Sequence, residues 1–453
     1  MTMYSKYKQS GIEWFSEIPS HWKKLKIGRT FQKIGSGTTP KSGSDIYYEN
    51  GSINWLNTGD LNDSFITETN KKITEAAIND FSTLKLYPIN SIVIALYGAT
   101  IGKLGQLKIE TTTNQACCVL SDSDDIENRY LFYFLLSARE FIISKAYGGG
   151  QPNISQDLIK QLYISVPKKE EQNQIINYLD YQTALIDEII TRKEKQIELL
   201  KEKRQATINE AVTKGINPNA KMRDSRIEWL GEIPEDWELR NLEVVAKDNR
   251  YSITGGPFGS DLKNEEYTEH GVRIIQLQNI GVGEFCDDYK IYTSEEKADY
   301  LFSSNIYPGE IIIAKMADPV ARACIVPNTA DRFIMASDGI RLEVDNDRFI
   351  TKFIEYSINS KYFNYQAELN STGTTRLRIG LTTLKKLKLL LPQLTEQVEI
   401  VEYLESYNKI FLEIFEKLSL QIQKLKEYRQ SIISEAVTGK IDVRDWQPNN
   451  SSN

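Results

Sequence analysis

From Val401 onward, apolar residues recur at alternating spacings of three and four: Val401, Leu404, Phe411, Phe415, Leu418, Ile422, Leu425 and Ile432. Asn408 and Arg429 fill the remaining places. The same register set back by 225 residues gives Ile176, Leu179, Thr183, Ile186, Ile190, Lys193, Ile197, Leu200, Arg204 and Thr207. A seam this narrow, flanked by Lys and Glu, predicts two long helices that pair as a coiled coil. Polar seam residues such as Asn408 and Arg204 cost stability and fix register. Elsewhere the pattern changes. LYPINSIVIALYG (86–98) and IYPGEIIIAKMA (306–317) each read as a turn followed by a short, continuously apolar strand. YLFYFLLSAREFIISKA (130–146) and RFITKFIEYSINSKYFNYQA (348–367) each read as one aromatic-rich helix. Each precedes a glycine-containing loop, GGGQPNIS (148–155) and STGTTRLRIG (371–380).

The two halves are copies of one unit. GIEWFSEIPSHW (11–22) returns as RIEWLGEIPEDW (226–237) at an offset of 215. PKKEEQNQIINYL (167–179) returns as PQLTEQVEIVEYL (392–404), and LLKEKRQATINEAVTKGI (199–216) as KLKEYRQSIISEAVTGKI (424–441), both offset by 225. The second unit is therefore 10 residues longer, and the extra length lies between the shared blocks. An internal repeat of this kind dictates the architecture. The expected α+β organisation is a globular domain at 1–166, a long helix at 167–214, a linker and second globular domain at 215–391, a second long helix at 392–440 and a tail at 441–453. The first helix feeds the second domain and the second domain feeds the second helix. The simplest arrangement is an antiparallel helix pair with a domain at each end and a pseudo-two-fold axis between them. The seam spans about 46 Å at 1.5 Å per residue. Two divergent heads held that far apart suit a bipartite target. On duplex DNA that length covers roughly 13–14 base pairs, and unlike heads imply unlike half-sites.

Length and composition fit a soluble protein of two to four domains: 453 residues, 40% hydrophobic and 26% charged. No apolar run is long enough for a membrane helix, and the first residues do not form a signal peptide. The four cysteines, Cys117, Cys118, Cys286 and Cys324, lack CxxC spacing, and there are two histidines. A zinc site or disulfide framework is not expected, and a cytoplasmic location is. The net charge of −7 counts against bulk electrostatic binding of nucleic acid, though it leaves room for local basic surfaces. The chain has no Pro-Pro pair, so the loop expected of an amino-methyltransferase is missing. GATIGKL (98–104) is one residue short of a phosphate loop and ends in Leu, so it reads as a strand turn. No catalytic site and no metal site are expected in this chain.

The opening IEWLGEIPxxW, the Pro-x-x-x-Glu-Gln start of each helix and the Glu-Ala-Val-Thr end together resemble the specificity subunit of type I restriction–modification enzymes. The loops GSGTTPK (35–41) and GGPFGSDLK (255–263) resemble the starts of that family's target-recognition domains. The resemblance covers nearly the whole chain. It implies that each variable domain reads one half of a split DNA sequence. It also implies that the helices set the spacing and dock two methyltransferase subunits, and that two restriction subunits complete the complex. The partners would carry adenine N6 methylation and ATP-driven cleavage, using S-adenosylmethionine, ATP and Mg; this chain would bind no cofactor.

Candidate DNA contacts follow from side-chain chemistry. Gly35, Gly37, Thr38, Thr39 and Lys41, with Gly256, Gly259, Ser260 and Lys263 as counterparts, offer amides, hydroxyls and ammonium groups to phosphates; an ordinary hairpin loop is the alternative. Gln151 and Asn153 carry amides suited to an adenine edge. Arg376 and Arg378 suit guanine or phosphate, and Thr374 and Thr375 suit phosphate oxygens. Capping hydrogen bonds and solvation are the alternatives there. Trp14, Trp22, Trp229 and Trp237 belong to the repeated frame, so they are expected to anchor structure and not to stack on bases. A scaffold whose two heads bind proteins is the competing function.

Overall fold

The computed structural model describes residues 2–147, 152–373 and 377–448. The chain packs as two compact units, one of Met1–Glu194 with Ser419–Asn453 and one of Lys195–Leu418. Each unit contains one globular head and parts of both long helices, Lys169–Lys214 and Leu394–Val437.

In the first unit, a five-stranded sheet has the order Lys33–Gly35, Cys117–Ser121, Ile92–Ala95, Leu104–Leu107, Ser64–Ile66. Ile92–Ala95 lies at its centre and is buried throughout, which is why its sequence is continuously apolar and does not alternate. A three-stranded sheet, Thr112–Thr113, Ile53–Leu56, Lys72–Ile73, completes the head. The stretch GATIGKL forms the turn between Ile92–Ala95 and Leu104–Leu107, with Gly98 and Gly102 at positive φ.

The second unit repeats the plan. Ile253–Gly255, Gly339–Leu342, Ile311–Ala314 and Ala323–Ile325 form a four-stranded sheet in that order. A five-stranded sheet runs Tyr267–Thr268, Ile291–Thr293, Val272–Ile275, Phe333–Met335, Asn305–Ile306. In both heads the glycine-loop strand is an edge strand antiparallel to its neighbour, with Gly35 opposite Val119 and Gly255 opposite Ile340.

The aromatic-rich helices differ from the single helices expected. Each is two: Asn128–Ser137 with Arg139–Ser144, and Thr351–Ile358 with Lys361–Leu369. The second break has a clear local cause. Ser360 turns extended and its side chain accepts from the Phe363 amide, so it caps a new helix where periodicity alone suggested continuation.

The repeated blocks form the frame of each unit. Trp22 and Trp237 are fully buried, and their indoles donate to Glu171 and Glu396 in the first turns of the long helices, at 2.9 and 3.0 Å. The next residue in each copy, Gln172 or Gln397, donates to the carbonyl of Pro167 or Pro392 and accepts from the amide of Glu127 or Ile350. That accounts for the Pro-x-x-x-Glu-Gln pattern: the carboxylate anchors the entry tryptophan and the amide ties the helix start to the head. Gly215 and Gly439, both at φ +74°, end the helices. A Cβ on Gly439 would meet Pro19 at 2.3 Å. In the first unit the tail returns to the chain start: the Asp442 amide donates to Thr2, and Trp446 packs on Tyr178 and Tyr181. Trp14 packs on Phe134 and Trp229 between Tyr362 and Tyr365, so all four frame tryptophans are engaged by protein.

Along the long helices, Leu179, Ile186, Ile190, Leu404, Phe411 and Ile422 are buried. Ile176, Ile197, Leu200, Val401, Phe415, Leu418 and Leu425 are half-buried. Within the second unit, the Arg204 guanidinium donates to Asn408 at 2.8 Å and lies over Phe411. Within the first unit, Arg429 makes two bonds to Asp187, and Lys193 donates to Gln421. In each unit the numbers of one helix rise as those of its neighbour fall.

Candidate nucleic-acid interface

Three chain segments converge at one end of each head. In the first, the glycine loop follows the edge strand. Gly37 passes so close to the next strand that an added Cβ would lie 1.7 Å from the Thr113 carbonyl oxygen, and its amide donates to Thr113 Oγ1 at 3.0 Å. The loop then turns outward. Thr39 is exposed and donates to Gln115 Oε1 at 2.6 Å, and Lys41 is exposed. The Thr38 carbonyl accepts from the buried Trp55 indole at 3.2 Å, so this part of the loop is held from inside the head.

The second segment follows Thr112–Thr113. Asn114 donates to Asn57 Oδ1 at 3.0 Å, and Gln115 beside it is exposed. The third carries Asn153, which exchanges backbone bonds with Tyr147 and bridges to Tyr97. Gln156 nearby donates to Ser36 at 2.5 Å, which brings this segment against the glycine loop.

The second head repeats these connections with different side chains. Gly256 takes the place of Gly37: a Cβ there would lie 1.9 Å from the Ala336 carbonyl oxygen. The Leu96 amide donates to Ala116 and its carbonyl accepts from Ile154; the Lys315 amide donates to Asp338 and its carbonyl accepts from Ile379. Arg378 exchanges backbone bonds with Thr372 and bridges to Met316, as Asn153 does with Tyr147 and Tyr97. Asn153 and Arg378 are thus topological counterparts. Lys315 Nζ donates to the Ser337 carbonyl at 2.7 Å, and Arg378 donates to Asp338 at 2.8 Å. Burial pulls the Lys315 ammonium below the ordinary lysine range against the pull of Asp338, and the Arg378 guanidinium adds to the lowering. Gly259 has open space around it, Ser260 and Lys263 are exposed, and Lys263 caps a short turn through its amide to Glu266.

The site therefore gathers Gly37, Thr38, Thr39 and Asn153 in the first head and the 255–263 loop with Arg378 in the second. Gln151, Thr374, Thr375 and Arg376 lie outside the described residues. The glycines named in these loops differ in what surrounds them. Gly37 and Gly256 are needed by the backbone packed against them, whereas Gly259 stands in open space. The structure also adds polar residues that the sequence did not single out: Asn57, Asn114 and Gln115 in one head, Gln276, Gln278, Lys315 and Asp338 in the other. They lie just past the ends of other strands, outside the glycine loops, and no local signal marks them. Among the described residues no group of acidic, His and Cys side chains could hold a metal ion, and no helix is long and apolar enough to cross a membrane.

The family model described as "Type I restriction modification DNA specificity domain" matches this chain twice, over residues 19–199 and 234–424. The chain belongs to the type I DNA specificity family. Each match spans one head and much of the long helix that follows it. The type I restriction enzyme MjaVIII specificity subunit of Methanocaldococcus jannaschii is 27% identical over 94% of this chain and 95% of its own length. The EcoR124I/EcoR124II specificity subunit of Escherichia coli is 29% identical over 43% of this chain and 48% of its own. A chain solved in a study of assembly and conformational transition of the type I R-M system matches at TM-score 0.69 and 15% identity, covering 94% of this chain and 99% of that one. The HsdS subunit of Thermoanaerobacter tengcongensis matches at TM-score 0.50 and 16% identity, over 94% and 98%. Each half of this chain thus carries one DNA specificity domain, and the curated relatives are named as specificity subunits of type I restriction enzymes.

Proposed function

We propose that this specificity subunit reads an asymmetric, bipartite duplex site, one half-site per head. The two long helices form an antiparallel coiled coil that sets the spacing and docks two methyltransferase subunits. Two restriction subunits complete the enzyme, and the partners bring S-adenosylmethionine, ATP and Mg. One observation carries this reading: the backbone bonds that join Leu96, Tyr97 and Asn153 in the first head recur at Lys315, Met316 and Arg378 in the second, while the side chains presented there differ. Carboxamides dominate the first head and suit adenine edges; Arg378, held by Asp338, gives the second head a fork suited to guanine. Lys41 in one head and Lys263 in the other offer charge to phosphates. The buried seam residues and the Arg204–Asn408 pair support the coiled coil. The chain's net charge of −7 makes its own affinity for DNA low, so partners complete the grip. Methylation requires the adenine to be flipped into a partner's pocket.

The test is genome-wide mapping of N6-methyladenine after co-expression with the cognate methyltransferase subunit. A single split, asymmetric motif that disappears when this chain is omitted is the expected result. An assembled, active complex that yields no motif would favour the protein-binding scaffold instead.

A further inference from the structure

The glycine loop of the second head carries Phe258 at its tip, 80% exposed, the most exposed large apolar side chain among the described residues. The loop around it is fixed. Gly256 is pressed against the Ala336 carbonyl and donates to Gly339, Pro257 is buried, and the Asp261 amide donates back to the Phe258 carbonyl at 2.8 Å. Proline removes one backbone freedom at the approach. Phe258 is thus presented to solvent on a braced loop.

It borders a cavity of about 320 Å³ whose walls combine two kinds of surface. Phe258 and Tyr267 supply aromatic faces; Gln276, Gln278, Ser337 and Asp338 supply donors and acceptors. Lys315 and Arg378 stand behind the Ser337–Asp338 wall. Aromatic faces, hydrogen-bonding edges and adjacent cations together match a nucleobase on its sugar–phosphate backbone. The glycine loop of the first head carries no counterpart of Phe258. That loop, Ser36 to Lys41, contains no aromatic residue; Trp55 is buried and bonded to Thr38, Tyr48 donates to Pro40, and the exposed aromatic of that site, Tyr147, lies on the separate segment that carries Asn153.

We propose that Phe258 enters the base stack of the half-site read by the second head, and that the adjoining cavity takes the polar edge of the displaced base. Apolar wedges that part base steps are an established way of bending a duplex toward more protein surface. The inference rests on the second head being a DNA-reading surface. It adds that the second head reads its half-site in a locally unstacked form, through a residue that the first head's glycine loop lacks.

The experiment uses the full chain assembled with its cognate methyltransferase subunits. Duplexes carry 2-aminopurine at successive positions of the second half-site, away from the methylated adenines. The wild-type complex should raise the fluorescence severalfold at one position. Phe258→Ala should return it to the free-duplex level and weaken binding about tenfold, while Phe258→Trp keeps both. An abasic site at the same step should restore Phe258→Ala binding, because the cost of unstacking is then removed in advance. An unchanged unfolding midpoint of the second unit shows that the variant is folded. Specific binding with no unstacked position, wild-type signal from Phe258→Ala, or lost affinity that no abasic position recovers would overturn the wedge and leave the bipartite reading standing. No sequence-specific binding by the wild-type complex would overturn both.

Discussion

Gly37 and Gly256 cannot carry a side chain without moving the strand beside them, whereas Gly259 can. Replacing either of the first two by alanine should destabilise its own unit by about 1–3 kcal/mol. Gly259→Ala should leave denaturant midpoints unchanged, so any loss of DNA binding in that variant would report contact directly. A second pair of residues separates the units. Glu171 accepts from Trp22, Tyr4 and His21, whereas Glu396 accepts from Trp237. Trp237→Phe should therefore cost its unit about 1–3 kcal/mol, more than Trp22→Phe costs the other, when unfolding of each unit is followed separately. Glu396 also gives a pH signature. Burial raises its carboxyl pKa despite the indole bond that opposes the rise. A raised native pKa means the folded state holds its proton longer than the unfolded chain. The contribution of Glu396 is thus complete below about pH 4.3, the unfolded value, and fades as pH rises through the native one. Glu396→Gln should flatten that part of the second unit's stability profile.

At the scale of elements, the seam spacing gave the long helices their place, and the observed spans, Lys169–Lys214 and Leu394–Val437, fall within the expected ones. The seam also contained its own polar pair, and Arg204 and Asn408 meet at 2.8 Å. A double-mutant cycle on them should return a coupling near 1 kcal/mol. Replacing both by leucine should raise the melting temperature while loosening the choice of partner, which native mass spectrometry would detect as additional oligomers. The aromatic helices were less legible. Periodicity persists across Ser360, but its hydroxyl offers the backbone a cap, and that local bond ends one helix and begins the next.

At the scale of the whole molecule, the repeat predicts that function is modular. Exchanging residues 238–386 for the equivalent segment of another family member should change one half of the methylated motif and leave the other intact. Inserting one heptad in phase into both helices adds about 10 Å, so the spacer should lengthen by about 3 base pairs with both half-sites unchanged. Methylome mapping reads both outcomes, and a change in the bases recognised after the heptad insertion would sink the ruler.

The sequence by itself determined the duplication, the long helices, the buried central strands and the structural role of the frame tryptophans. Each is written in residues close together along the chain, as periodicity, fixed spacing or exact repetition. It also marked the glycine loops, since GSGTTPK and GGPFGSDLK are contiguous. Only the tertiary structure decided what surrounds those loops. Parallel pairing of Thr112–Thr113 with Ile53–Leu56, and of Phe333–Met335 with Val272–Ile275, brings Asn114 to Asn57 and Ser337 to Gln276 across some 60 residues of divergent chain. Such long-range register leaves no local periodicity to read. The tertiary structure likewise made Arg378 the counterpart of Asn153, because that equivalence rests on shared backbone bonds and not on shared residue types.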